Sequence, residues 1–454
     1  METVLHIVQK INATLSDYVL IALLVGMGLF FTVRTRFVQV RCFGEGMRAV
    51  FGGIRWRGGR QKGGLSSFQA LATAVAAQVG TGNIVGACGA ILIGGPGAIF
   101  WMWIIAFFGM ATIYSEAVLA QETKTVKADG TVHGGPVYYI NKAFPNGFGK
   151  FLAGFFAVAI TLALGFMGSM VQSNSIGETF SNALGIPTWV IGIAVTVIAG
   201  LIFLGGIQRI AFVTEKLVPV MAVLYILGGF AVLIMRIRFI PETFGMIFKY
   251  AFEPNAIIGG SLGYALKTAI SQGVKRGLFS NEAGMGSTPH AHAVAKVQYP
   301  AQQGLMGIVS VFIDTFVVLN MTALVIFVTG ALDGTTTGIA LTQKAFSTGL
   351  GAFGIKFVAI CLLFFAFSTI VGWYFFGEQN VKYLFGTRGV TPYRVVVMCF
   401  IVMGSLLQVN LVWELADMFN GLMAFPNLIA LIGLAKVVSK ALDEFEQANL
   451  ADNK

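Results

Sequence analysis

The chain holds 454 residues, of which 56% are hydrophobic and only 11% charged, with a mean hydropathy of +0.80. Soluble domains carry about 25% charged residues, so a soluble globule, a disordered chain and a nucleic-acid-binding domain are excluded; the net charge of +10 falls in short connections between apolar runs. Cys42, Cys88, Cys361 and Cys399 are scattered and form neither a disulfide framework nor a CxxC ligand pair.

A bilayer crossing takes about 20 apolar residues, and the uncharged runs supply eleven. Residues 18–33 give a short first crossing. No small-x-small cleavage site follows it and no basic run directly precedes it, so it stays as a helix. Residues 63–115 are an uncharged stretch of 53 that has to fold back on itself, with the turn at Gly94-Gly95-Pro96-Gly97. Further crossings are predicted at 151–177, at 179–208 (cut by Gly185-Ile186-Pro187) and at 217–235. Residues 254–274 carry Lys267 and run into a glycine-rich segment, and 297–332 cross with Asp314 near their middle. Residues 357–377, 395–413 and 418–435 complete the set, and 437–454 form an amphipathic tail. The reading is one all-α polytopic membrane domain over residues 1–454.

Basic residues near crossing ends favour the cytoplasmic side. The connection at 34–62 holds Arg34, Arg36, Arg41, Arg48, Arg55, Arg57, Arg60 and Lys62. This puts the N-terminus outside and the C-terminus in the cytoplasm of a cell (plasma or inner) membrane. Only Lys10, Arg236, Arg238, Lys249, Lys344 and Lys356 are then left outside.

With the first crossing set aside, ten remain, five at 65–235 and five at 254–436. An odd number per half inverts the second half. Each half opens on a glycine-rich interruption at membrane depth, Gln78-Val79-Gly80-Thr81-Gly82-Asn83 in one and Gly277-Leu278-Phe279-Ser280-Asn281-Glu282-Ala283-Gly284-Met285-Gly286 in the other. Paired interruptions of this kind mark the midplane site of inverted-repeat transporters. A broken helix frees N–H groups for a carboxylate and carbonyls for Na⁺. Gly80, Gly82, Gly284 and Gly286 allow the unwinding, although close helix packing uses the same residues. Gln78, Thr81, Asn83, Ser280 and Asn281 add neutral oxygens.

Ser368 and Thr369 stand alone in an apolar run, where hydroxyls commonly back-bond to their own helix. Trp373 follows one turn after Thr369 on the same face, able to close a small pocket or to sit in an interfacial belt. Charges inside crossings are functional candidates, here Lys267, Lys275, Arg276, Glu282, Asp314, Glu378, Glu414 and Asp417. Asp314, at the centre of its crossing, reads as a cation ligand, a protonatable group or half of a buried pair with Lys275 or Arg276, the pair being favoured. Glu282 is expected to fasten the second break by accepting backbone N–H bonds. His290 and His292 are two apart and face different ways on a helix, which argues against a zinc site with Glu282. No nucleophile or phosphate-binding motif stands out, so the chain does not read as an enzyme.

The stretch Gly80-Thr81-Gly82-Asn83-Ile84-Val85-Gly86, the segment Gly94-Gly95-Pro96-Gly97-Ala98-Ile99-Phe100-Trp101-Met102-Trp103, the second interruption through Ser287, and Ala291-His292-Ala293 together closely resemble the alanine/glycine:cation symporter family over nearly the whole chain. The resemblance implies a leucine-transporter-type fold, five plus five inverted helices behind one extra helix. It further implies Na⁺-coupled uptake of alanine or glycine, with no organic cofactor and no obligate protein partner. In that fold Ala76 and Val79 carbonyls meet Ser368 and Thr369 at a Na⁺ site. Asn83, the Gln78 carbonyl and Asp314 or Asn320 fall near a second cation position. The substrate carboxylate meets amides at Gly80, Thr81 and Gly82, with Ser280 and Asn281 beside it. Its side chain faces Phe279, Met285, Gln172 and Trp373, bulky neighbours that leave room for one methyl. Two alternatives stay open: a proton-coupled carrier using Asp314, and an intramembrane metal-dependent hydrolase built on His290, His292 and Glu282.

Overall fold

The structure, a computed structural model, describes residues 2–51, 65–128, 130–253, 262–407 and 410–452. Arg55, Arg57, Arg60 and Lys62 of the basic connection and the start of the run at 254–274 lie outside the described residues. Helix α1 covers residues 2–34, starting well before the apolar run at 18–33, with a π turn at Leu15–Val19. A short amphipathic helix, α2 (Phe43–Phe51), follows.

Helix α3 (Ser67–Gln78) opens on a capping box: Ser66 Oγ accepts from the Gln69 amide and Gln69 Oε1 from the Ser66 amide, both at 3.1 Å. The helix stops at Val79, whose backbone is extended (φ −79°, ψ 92°), and resumes 46° away as α4 (Gly82–Gly94). Gly95 (φ 72°) then reverses the chain into α5 (Gly97–Thr123), the turn that Gly94-Gly95-Pro96-Gly97 predicts.

A small hairpin pairs Thr125–Val126 with Val132–His133 and leads through α6 (Pro136–Ala143) to α7 (Gly147–Leu184). Gly185-Ile186-Pro187 is a turn between helices and not a cut within a crossing. Nothing in 179–184 breaks the helix until Gly185 takes φ 69°, and the next helix, α8, is only Thr188–Phe203. Helix α9 runs Gly206–Met235, eleven residues longer at its start than the uncharged run, because charge alone does not end a helix: Arg209 reaches back to the Leu201 carbonyl and Glu215 accepts from Gln69.

After α10 (Ile240–Phe252) comes α11 (Leu262–Asn281). It ends at the second break, where Glu282 (φ 57°), Gly284 (φ 89°) and Gly286 (φ 80°) are all left-handed, and the chain restarts as the short α12 (Pro289–Ala293). The remaining helices are α13 (Pro300–Val328), α14 (Gly338–Leu350), α15 (Phe353–Phe385), α16 (Val390–Leu406), α17 (Asn410–Gly433) and α18 (Ala435–Asp452). The predicted crossing at 395–413 therefore ends with α16 at Leu406, where Leu407 turns extended, and Glu414–Asp417 are helical within α17.

Among the described residues seven helices are long and apolar enough to cross a bilayer, and the bent pair α3–α4 makes an eighth. The two broken segments lie in the interior. Residues 70–84 are buried without exception, and α5 packs on α11 and α13 while α15 packs on α7 and α3. At one end of the bundle the start of the first broken segment pairs with the end of the second, Leu65 donating to Val294 and Lys296 to Leu65. Helix α18 is held at that end by Arg36 to Asp443 and Glu446 and by Arg41 to Glu446.

Candidate functional site

The first break meets α15. Helix α3 ends with carbonyls that have no helical partner, and Thr369 Oγ1 approaches two of them, Ala76 O at 3.0 Å and Val79 O at 3.3 Å. Ser368 Oγ reaches Ala76 O at 3.3 Å. Both hydroxyls also donate to the Phe365 carbonyl, at 2.8 and 3.0 Å, so each back-bonds to its own helix as well as facing the freed carbonyls. Three carbonyls and two hydroxyls thus converge in a fully buried spot, a neutral oxygen set of the kind a hard monovalent cation uses. Phe365 is the member that residue-type reasoning misses, since a phenylalanine signals nothing about its carbonyl. Glycine is required beside it: a Cβ on Gly80 would fall 2.5 Å from Thr369 Oγ1 and 3.2 Å from Gln172 Oε1.

The amides of the unwound turn are engaged by side-chain oxygens. Gly80 N–H donates to Asn83 Oδ1 at 2.9 Å and Thr81 N–H to Gln172 Oε1 at 3.1 Å, which brings Gln172 of α7 to the break. Asn83 turns its amide nitrogen to Asp314, at 2.6 Å from Oδ1 and 3.0 Å from the carbonyl oxygen. The other donors to the Asp314 carboxylate are Ser280 Oγ (3.0 and 2.9 Å) and Thr315 Oγ1 (3.0 Å). The favoured pairing of Asp314 with Lys275 or Arg276 is therefore wrong. Those cations sit one to two turns earlier on α11 and face Asp417 of α17, at 3.2 and 3.4 Å. Gln78 bridges the two breaks by donating to the Asn281 carbonyl at 2.7 Å, while the Asn281 side chain bonds Thr315 and accepts from Ala283 N–H. Around these groups Gln78 Oε1, Thr81 Oγ1, Ser173 Oγ and Asn320 Oδ1 are buried with no hydrogen-bond partner among the described residues.

The second break is fastened by a residue other than the one expected. Glu116 of α5, fully buried, accepts from the Gly284 amide at 3.0 Å and the Gly286 amide at 2.9 Å, and Asn427 of α17 donates to it at 2.6 Å. Asn427 also donates to the Gly284 carbonyl, and Tyr139 donates to Asn427 Oδ1. Among the described residues the Glu282 carboxylate accepts no backbone amide; it receives the Trp373 indole N–H and the Ser287 hydroxyl. Glu116, contributed by a different helix, takes the Gly284 and Gly286 amides that follow Glu282. The sequence signal for Glu116 is a carboxylate directly after the uncharged stretch 63–115.

Trp373 is buried and not in an interfacial belt. Its ring meets Phe279 edge-on at 6.1 Å, and Phe279 lies 5.1 Å from Trp413. Gly168 makes room, since a Cβ there would fall 2.4 Å from the indole. Gly82 is likewise pressed against the second segment, its Cβ position 3.1 Å from the Ser280 Cα and 3.3 Å from Phe279. Met285 instead shares a small cavity with Phe279, Leu24 of α1, Lys275 and Asp417, toward α17. His290 and His292 do not converge with Glu282. His290 bonds the Ser287 carbonyl and Asn380 between stacked Phe156 and Phe376, His292 bonds Gln303, and no metal-holding group of His, Cys, Asp or Glu exists among the described residues.

The profile of the sodium:alanine symporter family matches residues 1–454. The sodium/alanine symporter AgcS of Methanococcus maripaludis is 42% identical over 97% of this chain and 98% of its own length. The probable sodium/glutamine symporter GlnT of Bacillus subtilis is 42% identical over 98% of this chain and 91% of its own. Among solved structures, MhsT in complex with L-phenylalanine superposes with a TM-score of 0.58 at 15% identity, covering 85% of this chain and 98% of that one. A manganese transporter of Eremococcus coleocola gives 0.52 at 15% identity over 83% and 78%. The nearly all-helical leucine-transporter-type fold is thus shared with solved transporters.

Proposed function

The chain belongs to the sodium:alanine symporter family, a family of membrane transporters and not of enzymes, and from that premise we propose that it couples inward Na⁺ movement to uptake of a small neutral amino acid, alanine or glycine, by alternating access. In this reading eleven helices cross the cell membrane, one leading helix and two inverted sets of five at 65–235 and 254–436, with the N-terminus outside and the C-terminus cytoplasmic. No organic cofactor and no obligate protein partner are needed.

One observation carries the reading: Ser368 and Thr369 lie within hydrogen-bond distance of Ala76 and Val79 carbonyls that a helix break has freed. Na⁺ is assigned to these oxygens together with Phe365 O. A second, weaker cation position is assigned to Asp314, Asn83, Gln78 and Asn320. The substrate carboxylate is assigned to the unwound turn at Gly80, Thr81 and Gly82, where it displaces Gln172 Oε1 from the Thr81 amide. Phe279 and Trp373, with Ser280 and Asn281, are assigned to bound the side chain and leave room for a methyl group, while Met285 lies behind Phe279.

The energetics suffice with one ion. A tenfold inward Na⁺ gradient supplies about 1.4 kcal/mol and 100 mV, inside negative, about 2.3 kcal/mol per charge. The sum of about 3.7 kcal/mol supports an accumulation of several hundredfold. The test is uptake of labelled alanine into proteoliposomes with an inward Na⁺ gradient, against K⁺ or choline. Accumulation that requires Na⁺ supports the reading, and equal uptake in choline removes Na⁺ as the driving ion. A second reading, proton coupling through Asp314, draws on its carboxylate meeting only neutral donors; uptake driven by a pH gradient in Na⁺-free medium would favour it.

A further inference from the structure

We infer that Glu282 is the group that receives the α-ammonium of the transported amino acid. The inference rests on the transport reading above and assigns a residue to the half of the zwitterion that reading leaves unmatched.

Three carboxylates approach the second break, and two are committed. Glu116 holds the Gly284 and Gly286 amides and the Asn427 amide, and Asp314 faces the proposed second cation position with Asn83, Ser280 and Thr315. Glu282, also fully buried, meets two neutral donors, Trp373 Nε1 and Ser287 Oγ. Two donors leave about half of a carboxylate's four lone-pair sites unused. The cations nearest in sequence, Lys275 and Arg276, face Asp417, and no ion pair among the described residues includes Glu282. A carboxylate buried on these terms is strongly disfavoured until a cation joins it.

Backbone conformation adds a second observation. Of the three left-handed residues in the break, glycine fills the positions at 284 and 286, whereas 282 keeps a glutamate at φ 57°. A non-glycine residue in that region is strained, and strain of this kind persists where the side chain is needed. Glu282 stands beside Asn281 on the proposed substrate wall, and its own oxygen is positioned by Trp373 of the same wall. With the substrate carboxylate at the Thr81 amide of the first break, the ammonium is left for the second break, and Glu282 is the charged acceptor there.

A carboxylate in this role makes the carrier reject an α-hydroxy acid of the same skeleton, because lactate would leave Glu282 buried and unpaired. The experiment uses the full-length protein in proteoliposomes and measures labelled alanine uptake, Na⁺ half-saturation and competition by unlabelled lactate. Wild type is expected to ignore lactate. Glu282→Gln is expected to raise the alanine KM on the order of 30-fold or more, the loss found when one partner of a buried charged pair is truncated, and to narrow the alanine-over-lactate preference by a similar factor. Na⁺ half-saturation measured at saturating alanine should move less than about threefold. Glu282→Asp, which keeps the charge and tolerates the left-handed backbone, should retain the preference. An unchanged alanine KM in Glu282→Gln overturns the inference, as does a raised KM with the lactate preference intact. Absence of Na⁺-driven alanine uptake in wild type overturns the transport reading itself, and this inference with it.

Discussion

Thr369→Ala separates a Na⁺ site from an ordinary hydroxyl cluster. Thr369 Oγ1 stands 3.0 Å from Ala76 O, 3.3 Å from Val79 O and 3.0 Å from Phe365 O, so it touches both freed carbonyls of α3, whereas Ser368 Oγ reaches only Ala76 O among them. Deleting it removes one of five oxygens and the one nearest the centre of the set. A hydrogen bond to a charged group contributes about 1.5–3 kcal/mol, and with the lost hydroxyl taken as an ion ligand of that order, Na⁺ affinity falls about 10- to 150-fold. Thr369→Ser keeps the oxygen and should stay within a few-fold of wild type. Linkage adds a second signature. Alanine affinity should fall by the same factor at low Na⁺ and recover at saturating Na⁺. The assay is the Na⁺ dependence of labelled alanine uptake in proteoliposomes, with thermal unfolding of the purified variant as the control for folding. A folded Thr369→Ala protein whose Na⁺ half-saturation matches wild type within twofold would refute the assignment.

Gly80→Ala should abolish Na⁺-dependent uptake without preventing folding, because the added Cβ at 2.5 Å displaces Thr369 Oγ1, a side-chain atom, and not backbone; uptake at the wild-type level would show that the hydroxyl is not needed where it stands. Glu116→Gln turns one amide-accepting oxygen into a donor facing Gly284 or Gly286, at a cost of about 2–3 kcal/mol for a buried charged acceptor, which should appear as a lower melting temperature together with slower uptake. In the connection between α13 and α14, the Lys344 ammonium at 2.6 Å, with the Thr336 and Thr335 amides, holds the Asp333 carboxyl well below the usual carboxylate range. A depressed value in the folded loop means its contribution is intact above the ordinary carboxylate pKa near 4 and fades only in stronger acid. Hydrogen exchange at Thr335 and Thr336 should therefore show no change in loop protection between pH 8 and pH 5 once corrected for intrinsic rates, and a loss within that window would contradict the geometry.

The features readable in the sequence were those that depend on composition and on glycine. Apolar runs located the helices, and Gly80, Gly82, Gly284 and Gly286 located both breaks, since few other residues permit backbone to approach Thr369, Ser280, Leu24 and Phe156 so closely. Helix limits were misread wherever charge was taken as an end. Arg209, Glu215 and Lys216 lie inside α9, and Glu414 and Asp417 inside α17. Partner choice was not legible at all, because it depends on which helix faces which. Asp314 was matched to cations close to the second break in sequence, yet α11 turns Lys275 and Arg276 toward α17 and presents Ser280 to Asp314. The same holds for Glu116, 168 residues from the amide it binds.

What the two sites share is a single unwound turn. The Val79 carbonyl points to the hydroxyl of Thr369 and the Thr81 amide to Gln172 of α7, with Gly80 between them as the only residue. On the proposed reading the ion takes the carbonyl and the amino acid takes the amide, so each ligand orders the same three residues. Fixing a residue's backbone costs about 1–2 kcal/mol, which puts the ordering of this turn at about 3–6 kcal/mol if it is loose without ligands. Whichever ligand binds first bears that cost and the second binds without it, so a coupling of the usual 1–3 kcal/mol needs only part of the turn to be disordered beforehand. Backbone exchange at residues 79–81 measures that disorder directly. Protection already complete without Na⁺ or alanine would leave no ordering cost to share, and coupling would then have to run through the Asp314 network between the two breaks.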